Sequence, residues 1–230
     1  MRAVFSFMFL FCISSAFSQA PTNVSVAPMK PPPPIYLRDV FSTHIDPKPY
    51  TGVEGSPFVT DQWLLATIKA EGRKELIDSI PIKINVYSNA VHFINENGEE
   101  VQMDLRIERI KIIDGSSALN NTVFLSNFSQ ERGFFLVIVD GGKLKLLKKL
   151  RMFIWETQPL GLEVQRRFEI QDDLFFSSGE MLYKPSKSCE AIRDAFDNDQ
   201  KIFDYISANK LQCNKEADMK KLVTFSASLK

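Results

Sequence analysis

The run Ile80-Pro81-Ile82-Lys83-Ile84-Asn85-Val86-Tyr87-Ser88-Asn89-Ala90-Val91-His92-Phe93-Ile94-Asn95-Glu96-Asn97-Gly98 decides the fold. Ile80, Ile82, Ile84 and Val86 alternate with Pro81, Lys83, Asn85 and Tyr87, the period-two pattern of a strand buried on one face. Ser88-Asn89 reads as a turn, after which Val91 and Phe93 alternate with His92 and Ile94. Asn97-Gly98 predicts a tight hairpin of type I′, which needs positive φ at both central positions. Val101, Met103 and Leu105 then carry a return strand against Gln102 and Asp104. Short strands joined by tight turns, with no helix between them, begin an antiparallel meander.

Downstream the alternation reaches Ile107 and restarts out of phase at Ile110 and Ile112, which predicts a bulge near Glu108-Arg109 or a break between two strands. Residues 134–139 are apolar on both faces and fit a central strand covered twice. Asp140-Gly141-Gly142 turns the chain into a strand with Leu144, Leu146, Leu150, Met152 and Ile154 on one face. Lys143, Lys145, Lys149 and Arg151 lie mostly opposite. Further strands are expected at 167–170 and 174–177, joined at Asp172-Asp173, and at 180–183. About eight such strands make either a closed, barrel-like meander or two layers, and the pattern allows both.

Beyond Pro185 the period becomes helical. Ser188, Asp199 and Asn214 are placed to cap short amphipathic helices. These carry Ile192, Ala195 and Phe196, then Ile202, Phe203 and Ile206, then Met219, Leu222 and Val223. Two or three such helices are too small to bury their apolar stripes alone, so they are expected to pack on the sheet or across its open end. The fold class is α+β, mainly β, with the β domain at 51–185 and the helical tail at 186–230.

Ahead of the domain, Met1-Arg2, an apolar run over 3–13 broken only by Ser6, and Ala16-Phe17-Ser18 before Gln19 form the three parts of a cleavable export signal. The run is too short for a transmembrane helix, which needs about 20 apolar residues. Phe11 before Cys12 is not the small residue of a lipoprotein signal. Cleavage after Ser18 leaves 230 − 18 = 212 residues, with no later apolar stretch able to span a bilayer. The mature chain then resides in the periplasm or outside the cell. Residues 19–50 hold Pro21, Pro28, Pro31 to Pro34, Pro47 and Pro49. That density favours extended polyproline II and reads as a disordered or semi-rigid spacer, or else as a proline-rich ligand for a recognition module.

The whole chain has 28 basic and 28 acidic side chains, so charge gives no reason to expect nucleic acid or anionic membrane as a partner. Once the signal is removed, Cys189 and Cys213 remain. An oxidising compartment permits a bridge between them, with two separate buried thiols as the alternative.

The stretches Gly55-Ser56-Pro57-Phe58, Trp63, Ala66-Thr67-Ile68 and Ile80 to Asn89 resemble those of a group of uncharacterised secreted proteins of the Bacteroidota. The basic strand Gly142-Lys143-Leu144-Lys145-Leu146-Leu147 and the tail through Tyr205-Ile206 and Asn209-Lys210-Leu211 are similar to theirs too. The likeness covers about 50–225 of the chain and implies a bacterial envelope protein. It implies no activity and no catalytic residue, and the cysteine pair is no part of it.

Chemistry-bearing patterns are few. His44 lies in the proline-rich spacer. His92 is the one histidine that a Ser-His-Asp or Cys-His site could use, but its place on the polar side of a strand reads as solvent-facing. Zinc-ligand spacings are missing. Glu99-Glu100 and Asp172-Asp173 sit where solvated turn acids sit. Asp197-Asn198-Asp199 opens like a calcium loop, yet Ile202 stands where its glycine belongs and Ala208 where its glutamate belongs. Gly141-Gly142-Lys143 falls at a hairpin, with no helix behind it to cradle a phosphate. No catalytic, metal or cofactor residue is assigned.

Two surface features stand as candidates for binding. The basic strand with Lys143, Lys145, Lys149 and Arg151 either faces a polyanion or is a solvated, lysine-guarded edge. Trp63 and Trp155 are either platforms for a ligand or packed strand aromatics. Nineteen phenylalanines against two tryptophans and five tyrosines indicate core filling rather than a sugar-binding surface. The leading expectation is an exported, non-enzymatic module that binds another envelope protein. The alternatives are a carrier of a small apolar ligand in a barrel-like cavity and, behind it, a secreted hydrolase.

Overall fold

The computed structural model describes residues 42–45, 50–161, 163–187, 189–196 and 198–229. The first eighteen residues, expected to be an export signal, most of the proline-rich stretch, Ser188 and Asp197 lie outside them. Twelve strands form one sheet: β1 (Ser42–His44), β2 (Val53–Glu54), β3 (Leu64–Ala70), β4 (Ile77–Asn85), β5 (Ala90–Ile94), β6 (Glu100–Met103), β7 (Ile107–Ile112), β8 (Val123–Leu125), β9 (Phe135–Asp140), β10 (Leu144–Thr157), β11 (Gln165–Ser178) and β12 (Met181–Tyr183). Their order is β1-β6-β5-β4-β3-β7-β8-β9-β10-β11-β12, antiparallel throughout, with β2 added in parallel to β11. The expected mainly-β meander with C-terminal helices is what forms. Its ends, β1 and β12, do not pair with each other, so the sheet is open rather than a closed barrel.

One face of the sheet carries most of the core. Leu64, Ala66 and Ile68 of β3, Ile80, Ile82 and Ile84 of β4, Val91 and Phe93 of β5, Val101 and Met103 of β6, Ile110 and Ile112 of β7 and Phe124 of β8 form one cluster. Every one is the inward member of its strand's alternation, so the period-two pattern and the buried face coincide. For so many strands to share a cluster, the sheet must curl around it.

The same face continues onto β9 to β11. There Leu144, Leu146 and Phe176 meet Ile192, Phe196, Ile202, Met219, Leu222 and Val223 of the tail. The opposite face carries a smaller cluster of Phe128, Phe135, Leu147, Phe175 and Leu182. β9 therefore is covered twice, Leu136 serving one face and Phe135 the other.

Three bulges set the register, the first between β3 and β4, where Ala66 pairs with Ile80 and Ile68 with Ile77. Lys69 pairs with Arg109 and Ala70 with Ile107, leaving Glu108 as the extra residue where the alternation slipped. Its carboxylate accepts a bond from Lys69 Nζ at 2.7 Å. On β9, Val139 opposes Leu146 and Val137 opposes Leu147, so Ile138 is unopposed.

Several expectations are corrected. The Asn97-Gly98 turn is not type I′. Of the two, only Gly98 has positive φ, at 80°, and Asn95 N–H donates to the Glu99 carbonyl at 2.9 Å across a wider loop. The extra residues relieve Asn97 of a left-handed backbone.

Asp172-Asp173 is no turn but the middle of the single fourteen-residue strand β11. Within the stretch read as a spacer, Ser42–His44 pairs with β6. This puts His44 on an edge strand, opposite Val101.

The tail has α1 (Gln200–Asn209) and α2 (Glu216–Ser228). Asp199 caps α1 as expected, accepting the Lys201 N–H at 3.0 Å. The first expected helix is two 3₁₀ turns, Glu190–Ile192 and Asp194–Phe196, following Cys189 at φ 60°. Asn214 does not cap α2, which begins after Lys215 without a side-chain cap. Asp218 instead turns back to accept the Gln212 N–H at 3.1 Å.

Cys189 and Cys213 are bonded, with Cα atoms 5.1 Å apart. The bridge ties the 3₁₀ turns to the start of α2. By closing a loop of 24 residues it contributes about 3 kcal/mol of stability.

Candidate functional site

β10 and β11 pair along fourteen residues, from Leu144↔Ser178 to Thr157↔Gln165. Their neighbours are shorter. β9 covers β10 only over residues 145–149, β12 covers β11 only over 176–178, and β2 covers it at Arg166 and Arg167. The far half of the hairpin is thus an arm of two long strands with only the short β2 beside it, on the β11 edge. Among the described residues, no strand pairs with the outward edge of β10 beyond Lys149.

Sequence explains why the arm holds its shape. Met152, Phe153, Ile154 and Trp155 are β-branched, aromatic or long apolar residues suited to a pleated strand. Met152 faces Ile170 and Ile154 faces Phe168 across the pair. Near the arm's far end Phe168, opposite Ile154, meets Tyr50 (5.2 Å) and Tyr87 (5.5 Å), which touch each other at 5.5 Å. Three mutual edge-to-face contacts, each worth about 0.5–1.5 kcal/mol beyond burial, tie the arm to the β4–β5 turn. Asn85 Nδ2 donates to the Tyr50 hydroxyl at 3.3 Å and fixes that ring.

The rest of the arm lacks such cover. Trp155 is 47% exposed, Ile170 58% and Val164 47%, and Leu160 is wholly exposed. Trp155 touches Phe153 edge-on at 6.5 Å on one face of the arm.

A collar of charges separates arm from body. Lys148 Nζ lies 2.9 Å from Asp172 and 3.0 Å from Glu216 of α2. Arg151 reaches Asp173 at 3.0 Å and Glu131 at 3.2 Å. Lys149, buried, pairs with Glu131. Adjacent acids stay in mid-strand because successive side chains point to opposite faces, where each meets a cation of β10.

The hydrogen bond from Lys149 holds the Glu131 carboxyl below the ordinary glutamate range, with Coulombic help from Lys149, Arg151 and Lys184. Bonds from Lys220 and Lys148 do the same for Glu216. Bonds to Asp172 and Glu216 raise Lys148. Beside the collar, an open groove of about 250 Å³ is lined by Asp172, Asp173, Lys184, Asn214, Glu216 and Met219.

The basic strand therefore is not one positive surface. Lys145 pairs with Asp140 at the hairpin turn, Lys149 is buried, Arg151 is shared between two acids, and Lys143 is engaged as well. Trp63 sits far along the sheet path, on β3's approach. Residues 57–59 run along β4, with Val59 N–H donating to the Ile84 carbonyl at 2.9 Å. The chain then loops out, which lays Trp63 over Lys83 Nζ at 4.6 Å.

The same segment covers His92. Phe58 contacts its ring edge-on at 5.1 Å, and Nδ1 is 2.9 Å from Glu100. His92 is only 5% exposed, so it is not the solvent-facing residue its strand position predicts. The polar side of the alternation is roofed by Phe58, not by a strand.

Of the expected site residues, the structure brings Trp155 and Arg151 onto one face of the arm and leaves Trp63 elsewhere. The arm itself was missed. Its signal was the eleven-residue alternation from Leu144 to Ile154, longer than the six-residue β9 beside it.

No protein-family model, curated protein or solved structure matches the chain.

Proposed function

We propose that the chain is an exported, non-enzymatic interaction module that presents the β10–β11 arm to another envelope component. One observation carries this reading: the arm's β10 edge extends past β9, and the arm keeps Trp155, Leu160, Val164 and Ile170 in solvent. Large aromatic and aliphatic groups held on a rigid two-stranded support are the usual anchors of a protein interface. The extracytoplasmic setting rests on the signal-like first eighteen residues and the resemblance to envelope proteins. The Cys189–Cys213 bridge fits an oxidising compartment, and no helix among the described residues is long and apolar enough to cross a membrane.

The apolar-ligand carrier is less favoured, because the face that would line its cavity is filled by Ile68, Ile80, Ile82, Phe93, Ile110 and Phe124. A photo-crosslinking residue at Trp155, expressed in the native host, tests the reading. It is expected to capture a defined protein, whereas one at Leu76, comparably exposed on the β3–β4 connection, is not. Equal capture from both sites, or none from Trp155, would refute it.

A further inference from the structure

We propose that the partner of the arm is a second copy of this chain: two copies join edge to edge through residues 150–156 of β10, antiparallel and centred on Phe153. This deepens the reading of the arm as an interaction element and rests on it.

Elsewhere the edges of the sheet are short or partly covered from within the chain, the three-residue β1 being one terminal strand. β1 covers β6. β2 lies against β11 at Arg166 and Arg167. At β12, the Gln130 side chain accepts the Leu182 N–H at 2.6 Å and donates to its carbonyl at 3.4 Å, taking the place of a strand. The edge of β10 beyond Lys149 has no such cover among the described residues. It also lacks the usual guards, since residues 152–157 contain neither proline nor lysine. Unpaired N–H and C=O groups along an apolar edge are best satisfied by another strand, which a globular side-chain surface cannot supply.

The strand is complementary to itself in one direction. Its charges are paired within the chain, Lys148 with Asp172 and Glu216, Arg151 with Asp173 and Glu131, and Glu156 with Arg166, and between them Met152 to Trp155 is an uninterrupted apolar run. Antiparallel pairing about Phe153 lays this apolar run on its own counterpart and keeps each copy's ion pairs at the ends of the contact, whereas in-register parallel pairing sets Arg151 beside Arg151 and Glu156 beside Glu156. A two-fold axis at Phe153 preserves faces, so opposed residues share a side. Met152 then meets Ile154 of the second copy. Arg151 meets its Trp155, a guanidinium on an indole face. Glu156 of the second copy comes to Leu150, its carboxylate remaining with Arg166 of its own hairpin.

Sedimentation velocity of the mature chain tests this, from about 1 to about 200 μM, the range in which small interfaces assemble. The wild type is expected to shift from monomer toward dimer across that range. Phe153→Lys is expected to remain monomeric. Its new lysine faces Glu169 within its own hairpin, which preserves the arm, but faces a second lysine in the dimer. Phe153→Cys, with the native cysteines already bridged, is expected to give a disulfide-linked dimer on air oxidation, and this decides the matter if Phe153→Lys melts early.

A wild type that is monomeric throughout, or a Phe153→Lys protein that dimerises like it, overturns the self-pairing. If that occurs while Trp155 still crosslinks a different host protein, the arm reading survives with another partner. No crosslink from Trp155 at all removes the arm reading itself.

Discussion

Gln130 imitates a strand for Leu182: one carboxamide bonds both the N–H (2.6 Å) and the carbonyl (3.4 Å) of a residue fifty-two positions away. Through it, the loop before β9 finishes the sheet edge at β12. Gln130→Ala leaves both groups of the Leu182 peptide without this partner. It is expected to lower stability by about 1–2 kcal/mol, read as a lower urea midpoint at unchanged slope.

The cysteine bridge ties the 3₁₀ turns to the start of α2 within the buried cluster of the tail. Replacing Cys189 and Cys213 together by serine is expected to cost about 3 kcal/mol. Thiol labelling of the unfolded, unreduced mature chain is expected to find no free sulfhydryl, and two labelled groups would contradict the bridge.

Gly141 lies where the β9–β10 turn meets α2. A Cβ there would stand 2.7 Å from the Leu144 carbonyl oxygen and 2.9 Å from Val223 Cγ1. The first is backbone and cannot yield cheaply, so Gly141→Ala is expected to destabilise by about 1–3 kcal/mol in thermal or urea unfolding.

The charge collar sets a pH window. The folded-state values of Glu131 and Glu216 lie below the ordinary 4.5. Their contribution is therefore complete above that value and is lost as pH falls through the folded values. Lys148 is raised above 10.5, so its contribution is present below that value and lost only as pH climbs through the raised one. Urea midpoints are expected to fall on the acid side below about pH 4.5, and Glu131→Gln is expected to make that acid slope shallower, with a lower midpoint at neutral pH.

Much of the fold was legible because it rests on period two. Ile80, Ile82 and Ile84 announce β4, the slip at Glu108 announces its bulge, and Asp199 announces α1. The reading failed where a partner distant in sequence decides the outcome. Asp172-Asp173 looks like a turn until Lys148 and Arg151 are set across from it. His92 looks solvated until residues 57–59 lay Phe58 over it. The candidate site was half legible: Trp155 and Arg151 were picked out, but the openness of their edge depends on where β9 ends, which no local pattern encodes.

The central claim is that the β10 edge from Leu150 to Thr157 is open within one copy of the chain. Residue-resolved amide hydrogen exchange on dilute mature protein measures this directly. Protected and fast-exchanging amides are expected to alternate over that stretch, the protected ones bonded to β11 and the fast ones facing outward. Over residues 145–149, by contrast, amides on both sides are expected to be slow, because β9 and β11 flank them. Uniform protection from Leu150 to Thr157 at the lowest concentration would mean that the chain covers this edge itself, and would contradict the account.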